Sequence, residues 1–305
     1  MNRPKFIMMC GLVASGKSTH AKCLSERYNA EIFSSDALRE ELYGDVNCQD
    51  HNQELFVELH KRIKVCLRDG KNVIYDATNI NYKKRMAFLA ELKYIPCEKC
   101  CVLMATPYEE CCERNSKRDR KVPEHVIRRM YMGFDIPHTF EGWDDVTIVY
   151  STEASKRYYS PLTWIRSVKY YNQNNSHHIL TLGDHCEKAF EYLCENNDST
   201  TDTIKFATLL HDCGKPFCKT FKNSKGEITE QAHYYGHERV GSYNSLFYKT
   251  TGDPIYIATI IRWHMQPYFW EKDNNEKLHN KYRKLWGEDL YHDIMHLHSA
   301  DKSAH

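Results

Sequence analysis

The chain is 305 residues long, enough for two domains that each bury a core. Its 42 basic and 41 acidic residues nearly cancel, so no global field draws nucleic acid, and any such partner must be held by a local patch. No run of about 18 apolar residues is present, which excludes a membrane-spanning helix from the reading.

Lys5–Cys10 is a short, mostly apolar run that predicts a buried parallel strand. Gly11–Thr19, GLVASGKST, fits GxxxxGK[ST] at every fixed position, and Ala21, Leu24 and Tyr28 then recur at helical spacing. Strand, glycine loop and helix stand in the order a phosphate loop requires. The glycines let backbone N–H groups wrap a phosphate, and the helix N-terminus adds its positive dipole end. The nucleotide-binding set is therefore Gly11, Ser15, Gly16, Lys17, Ser18 and Thr19. Lys17 is expected to reach the outer phosphates and the Ser18 hydroxyl to hold Mg²⁺, with ATP or another NTP as ligand. Because this strand begins almost at the N-terminus, no secretory signal is expected. Thirteen cysteines beside a nucleotide site fit free thiols in a reducing cytoplasm.

Glu31–Ser35 reads as a second strand ending at Asp36, and a helix over 37–42 follows with Asp36 or Ser35 as its cap. Residues 51–69 have helical spacing and stop at Gly70. Residues 72–75 form a third strand leading into Asp76-Ala77-Thr78-Asn79. A basic amphipathic helix over 82–93, a fourth strand over 99–105 and a helix opened by Pro107 complete the alternation. Strands alternating with helices predict a parallel, doubly wound α/β sheet with its ligand at the carboxyl ends of the strands. Gly11, Asp36 and Asp76 all fall there. Asp36 reads either as the general base for an acceptor hydroxyl or as a plain helix cap. Arg39, one turn on, could clamp an anionic group of that acceptor. The run Glu113–Pro123 is either a solvated charged face or an arginine lid over a transferring phosphoryl group.

The segments GLVASGKST, SSDALREEL, YDATNINYKKR and RNSKRDRKVP-x5-RRMY together resemble the polynucleotide 5′-hydroxyl kinases of nucleic-acid repair, over residues 1 to about 150. The resemblance implies that Asp36 is the general base and that Arg39 holds the 3′ phosphate of the terminal nucleotide. It implies further that Arg114 and Arg118 bind donor phosphates from the lid, while Asp76 and Asn79 belong to the acceptor-side loop.

Residues 146–150 read as a last strand, and 151–176 as a connector with Trp164, Ile165, Tyr170 and Tyr171 needing a surface. From residue 177 the strand pattern gives way to an all-α half, with helices expected near 183–195, 203–213, 235–249, 254–265 and 289–303. His185, His211-Asp212, His237, His264 and Asp301 lie across them, a donor set that suits a divalent metal. For any single histidine a surface or core role is the plainer reading. The adjacent pair after the apolar run 206–210 shifts that balance. Lys215, past the Gly214 turn, is expected to meet substrate phosphate.

These residues resemble the HD-domain metal phosphohydrolases over 177–305. The resemblance implies one metal on His185, His211, Asp212 and Asp301, and a second if His237 and His264 serve as ligands. The ions expected are one or two of Mn, Co, Ni or Fe. His233-Tyr234-Tyr235-Gly236-His237-Glu238 also resembles HD modules of tRNA nucleotidyltransferases. His233 reads there either as a substrate contact or as a metal ligand, and Arg239 is a further candidate phosphate contact. A rival zinc site could be assembled from Cys97, Cys100, Cys101, Cys111 and Cys112, although no second properly spaced pair exists.

The reading is a bifunctional enzyme that heals broken RNA ends, with DNA ends as the alternative. One half would phosphorylate a 5′-hydroxyl, and the other would open a 2′,3′-cyclic phosphate and remove the resulting phosphate. No ligase segment is apparent, so sealing is expected to fall to a separate RNA ligase. The alternatives are a small-molecule kinase fused to a nucleotide phosphohydrolase, and a nucleotide sensor with a non-catalytic second half.

Overall fold

Strands whose apolar residues run on without alternation need cover on both faces. Phe6–Cys10 and Cys100–Ala105, every residue of them buried, have it. The computed structural model describes residues 3–156, 159–176, 179–196, 200–273 and 275–304, packed as two units: Met1–Met130 with Glu141–Ser155, and Tyr131–Phe140 with Lys156–His305.

The first unit runs β1 (Lys5–Cys10), α1 (Lys17–Tyr28), β2 (Ala30–Ser34), α2 (Ser35–Tyr43), α3 (Asn52–Arg68), β3 (Asn72–Asp76), α4 (Tyr82–Glu91), β4 (Glu98–Ala105), α5 (Tyr108–Ser116), α6 (Glu124–Met132), β5 (Asp145–Tyr150) and α7 (Thr152–Lys156). Its five strands are all parallel in the order β2-β3-β1-β4-β5. One face is packed around Phe6, Leu55, Leu59, Ile63, Phe88 and Leu92, the other around Ile7, Met9, Ala21 and Val102. Neither Asp36 nor Ser35 caps α2. Ser34 does, its hydroxyl accepting from the Ala37 N–H, and this leaves the Asp36 carboxylate free of a capping role.

Arg85 and Glu141 form a buried, two-pronged ion pair in this unit, Nε to Oε2 at 2.8 Å and Nη2 to Oε1 at 2.6 Å. The Arg85 Nη1 also donates to the Asn79 carbonyl at 2.7 Å, so the pair anchors the loop after β3. Removing one partner leaves a buried charge uncompensated. Glu141→Ala is therefore expected to destabilise the fold by about 3–5 kcal/mol, read as a lower urea midpoint. A midpoint unchanged from wild type would show that the pair contributes nothing.

The second unit is built from α8 (Pro161–Ser167), α9 (Leu182–Asn196), α10 (Asp202–Leu210), α11 (Lys215–Cys218), β6 (Thr220–Lys222), β7 (Ile228–His233), α12 (His237–Ser245), α13 (Pro254–Trp263), α14 (Gln266–Asp273), α15 (Glu276–Trp286) and α16 (Glu288–Ser303). The expected all-α half thus carries a two-stranded antiparallel hairpin, β6–β7. His177, from which the helical half was read, lies outside the described residues. The packing also divides the chain differently from a boundary at 150 and a connector over 151–176. Residues 131–140 group with the second unit because Phe134 and Ile136 are buried and the Asp135 carboxylate accepts from Arg262 at 2.6 Å and Arg239 at 3.1 Å.

Candidate functional sites

The carboxyl ends of β1, β2 and β3 open into one cavity of about 1340 Å³ in the first unit. Gly16 takes φ +96° at the start of α1, a left-handed conformation natural to glycine. At Gly11 an added Cβ would meet Ser15 Oγ at 2.7 Å and Met104 Cβ at 3.0 Å, so the loop packs closely there. The Gly11 N–H donates to the Thr78 carbonyl at 3.0 Å, tying the loop to the segment after β3. Lys17 is buried, its Nζ donating to the Leu12 and Gly11 carbonyls at 2.6 and 3.1 Å. Burial pushes its ammonium below the ordinary lysine range, against the pull of the Asp76 carboxylate. Ser15 Oγ is buried with no hydrogen-bond partner, while Ser18 and Thr19 are exposed on the first turn of α1.

Asp36 stands in the first turn of α2 at the cavity wall, its side chain 55 % exposed. Two arginines grip it. Arg39 Nη1 lies 3.0 Å from Oδ1, and Arg120 Nη1 lies 3.0 Å from Oδ2. Arg39 is itself buried and passes its other nitrogen, Nη2, to Asn52 Oδ1 at 2.9 Å. Arg120 is further held by Asn47 Oδ1 and the Val46 carbonyl. Arg114 pairs with Glu110 at 2.5 Å and comes close to the phosphate loop, 3.7 Å from where a side chain on Gly16 would start. Arg118 lines the same cavity. Arg120 and Asn52 carried no assigned role in the sequence reading. Arg120 was hidden among six charged neighbours, and Asn52 looks like any polar helix start.

Asp76 is buried at the end of β3. Asn79, at φ +48°, spends its amide on the Met9 carbonyl at 2.8 Å. It therefore fixes the loop to β1, and it lines the cavity together with Asp76 and Thr78.

In the second unit His185, His211, Asp212, His237, His264 and Asp301 are all buried and converge. His185 Nε2 lies 3.1 Å from Asp301 Oδ1 and 3.4 Å from Asp212 Oδ2; His211 Nε2 lies 3.6 and 3.3 Å from the same two oxygens. The other Asp212 oxygen, Oδ1, is 3.3 Å from His237 Nε2 and 4.0 Å from His264 Nε2. Asp212 thus spans two donor groups. Gly214 makes the approach possible, since a side chain there would strike the His237 carbonyl at 2.1 Å.

Each ring is oriented from behind. The Nδ1 atoms of His185, His211, His237 and His264 sit 2.6–3.2 Å from the carbonyls of Ala304, Thr208, Tyr234 and Ile261. A ring that donates Nδ1–H to a carbonyl presents a bare Nε2 lone pair inward. Those Nε2 atoms face each other at 3.1 Å (His185, His211) and 3.3 Å (His237, His264). Two lone pairs so close repel unless a cation lies beside them, so this donor set fits divalent metal, one ion on each side of Asp212. Without metal, a proton can supply that positive charge on the first pair. Burial opposes a charged His185, yet Asp212 and Asp301 outweigh it and lift its pKa to about 9. His264 goes the other way, to about 3, through burial and its neighbours His211 and His237.

Three second-unit candidates for phosphate or substrate contact have partners within the protein. Lys215 is buried against Asp212 Oδ2 at 2.6 Å and Gln173 Oε1 at 2.8 Å, so its charge serves the carboxylate. Arg239 is taken by Asp135 at 3.1 Å. His233 ends β7, with Nε2 3.2 Å from Thr229 Oγ1 and its ring stacked on Tyr235 at 5.3 Å. Among the described residues no metal cluster forms from Cys97, Cys100, Cys101, Cys111 and Cys112. The first four are buried free thiols, which removes the zinc alternative.

Residues 6–137 match a protein family described as an AAA domain. The chain is 30% identical over 155 residues to the L-seryl-tRNA(Sec) kinase of Methanococcus maripaludis, an alignment covering 47% of this chain and 58% of that protein. It is 24% identical over 213 residues to Protein kti12 of Schizosaccharomyces pombe, covering 65% of this chain and 74% of that protein. Among solved structures it is similar to a chain of the Pnkp1/Rnl/Hen1 RNA repair complex, at 22% identity and TM-score 0.38 over 44% of each chain. The chain therefore spans little more than half of the first relative named. Its first unit is a P-loop α/β domain of the kinase type, with a parallel sheet.

Proposed function

We propose that the chain is a bifunctional end-healing enzyme acting on broken RNA. The observation that carries this is that each unit gathers a set of phosphate-handling side chains of a different kind. The first pairs a phosphate loop with an arginine-gripped carboxylate in one cavity, and the second places Asp212 between two buried histidine pairs.

In the first unit Asp36 takes the proton of the 5′-hydroxyl while that oxygen attacks the γ-phosphorus and the nucleoside diphosphate leaves. Arg39 clamps the phosphate on the 3′ side of the same nucleotide. Lys17, Arg114 and Arg118 steady the spreading charge on the transferring group. Mg²⁺ arriving with the NTP would be held at Ser18 and offset the negative charge of its outer phosphates.

The donor set of the second unit resembles that of HD-type phosphohydrolases. His185, His211, Asp212 and Asp301 would hold one divalent transition metal, and Asp212, His237 and His264 a second. Metal bound there would supply a Lewis acid and lower the pKa of a water. Lys215 keeps Asp212 ionised for that role, and the Tyr268 hydroxyl, 3.1 Å from Asp301 Oδ2, orients the other carboxylate. Water adds across one P–O bond of a 2′,3′-cyclic phosphate to leave a monoester and a free hydroxyl. A second addition releases inorganic phosphate. The resulting 5′-phosphate and 3′-hydroxyl are what a ligase joins, so a separate RNA ligase is the expected partner.

A second reading rests on the 30% identity to a seryl-tRNA kinase, in which the acceptor is a small hydroxyl carried on tRNA. One experiment separates them. Purified chain with ATP, Mg²⁺ and Mn²⁺ is expected to add phosphate to a 5′-hydroxyl RNA and strip a 2′,3′-cyclic phosphate from its other end. Phosphorylation of seryl-tRNA with no labelling of the RNA end would overturn the proposal.

A further inference from the structure

The kinase cavity is larger than its donor requires. One drug-sized ligand fills about 300–1,000 Å³, and about 1340 Å³ is open here. The additional space runs from the phosphate loop past Asp36 and Arg39 along α3 to α4. Asn52, Phe56 and His60 lie on the cavity wall at four-residue steps, one face of α3 for two turns. Asn52 is the residue that holds Arg39, so this face starts where the acceptor hydroxyl is handled.

Its chemistry is aromatic with a polar rim. The His60 ring stacks on Phe88 at 3.9 Å and 27°, and Phe56 lies 6.3 Å from His60. Tyr75 meets His60 edge-on, its hydroxyl 3.3 Å from Nε2, which fixes the ring. Burial lowers the His60 pKa, so the ring is neutral near pH 7. Phe56 is half-buried and packs on the core with one side, while Gln53 and Lys84 supply donors around it. A seryl group has no flat apolar face to lay on such a wall. A nucleobase does, and base-on-aromatic stacking tolerates any sequence. From Asn52 to Phe56 is about 6 Å along the helix, within reach of the base belonging to a nucleotide whose 5′ oxygen faces Asp36.

We propose that Phe56, backed by His60 and Phe88, is the stacking platform for the nucleobase of the acceptor's 5′-terminal nucleotide. This rests on the kinase reading and narrows its substrate to polynucleotide ends that carry a base.

The test uses the full chain, with Phe56→Ala, Phe56→Leu and Phe56→Tyr, against 5′-hydroxyl oligonucleotides whose first nucleotide is either normal or abasic. Phe56→Leu keeps most of the apolar volume and removes the flat ring, so a loss seen in it reports stacking rather than folding. Both truncating variants are expected to raise KM for the normal acceptor by about 5- to 100-fold with kcat nearly kept, the range that stacking supplies. Phe56→Tyr should restore it. On the abasic acceptor, variant and wild type should coincide. A binding readout independent of turnover is 2-aminopurine at the 5′ terminus. Its fluorescence should be quenched by wild type and Phe56→Tyr and not by Phe56→Leu. Equal KM rises on normal and abasic acceptors, or equal quenching by wild type and Phe56→Leu, would overturn the platform while leaving the kinase standing. Wild type that phosphorylates neither acceptor overturns the kinase reading and the platform together.

Discussion

Asp36→Asn is expected to lose 5′ phosphorylation by about 10²–10⁴-fold, the usual contribution of a general base, while hydrolysis of 3′ ends continues at the wild-type rate. The isosteric change is chosen deliberately. Asparagine keeps an oxygen for Arg39 or Arg120, both 3.0 Å away, so much of the local geometry survives and basicity does not. The side chain is more than half exposed, which keeps the cost to stability small. If Asp36 merely held the two arginines in place, Asp36→Asn would retain most of the rate and only Asp36→Ala would fall. Measured kcat for the two variants therefore separates a proton acceptor from an arginine anchor. Near-normal kcat in Asp36→Asn would remove Asp36 from the chemistry.

That test depends on a feature only partly legible in the sequence. The phosphate loop is nine consecutive residues, and the parallel sheet announces itself in apolar runs that never alternate. Both are local signals. Ser35 and Asp36 read as competing caps for α2, and the cap is instead Ser34, one residue earlier, a choice that turns on one backbone N–H bond. Contacts between distant residues left less trace. Nothing near Arg120 marks it as reaching 84 positions back to Asp36. The β6–β7 hairpin is short, exposed and rich in charge, so it lacks the alternation that reveals a half-buried strand. Residues 131–140 follow a helix begun in the first unit, and no composition shift signals that Asp135 will be gripped by Arg239 and Arg262.

The second unit's ligand set came from a resemblance in motif order, whereas the pairing of each Asp212 oxygen with one pair of histidines needed the fold. That arrangement makes a further large effect predictable. Asp212→Ala is expected to lower 3′-end hydrolysis by at least about 10²-fold, since even partners one step removed from a metal ligand cost 10–100-fold. The kinase rate should not change. Among the described residues Asp212 is the one side chain whose two oxygens face different histidine pairs, Oδ2 towards His185 and His211, Oδ1 towards His237 and His264. Its removal should therefore deplete bound metal on both sides, whereas a His237→Ala/His264→Ala double variant should lose one ion and keep the other. Elemental analysis of the three proteins after equal loading and washing gives the answer without any activity measurement. The expected order is two ions in wild type, one in the double histidine variant and fewest in Asp212→Ala. Equal metal in wild type and the double variant would make His237 and His264 contacts to substrate and leave a single-ion site on His185, His211, Asp212 and Asp301. Equal metal in wild type and Asp212→Ala would mean that the carboxylate bridges nothing.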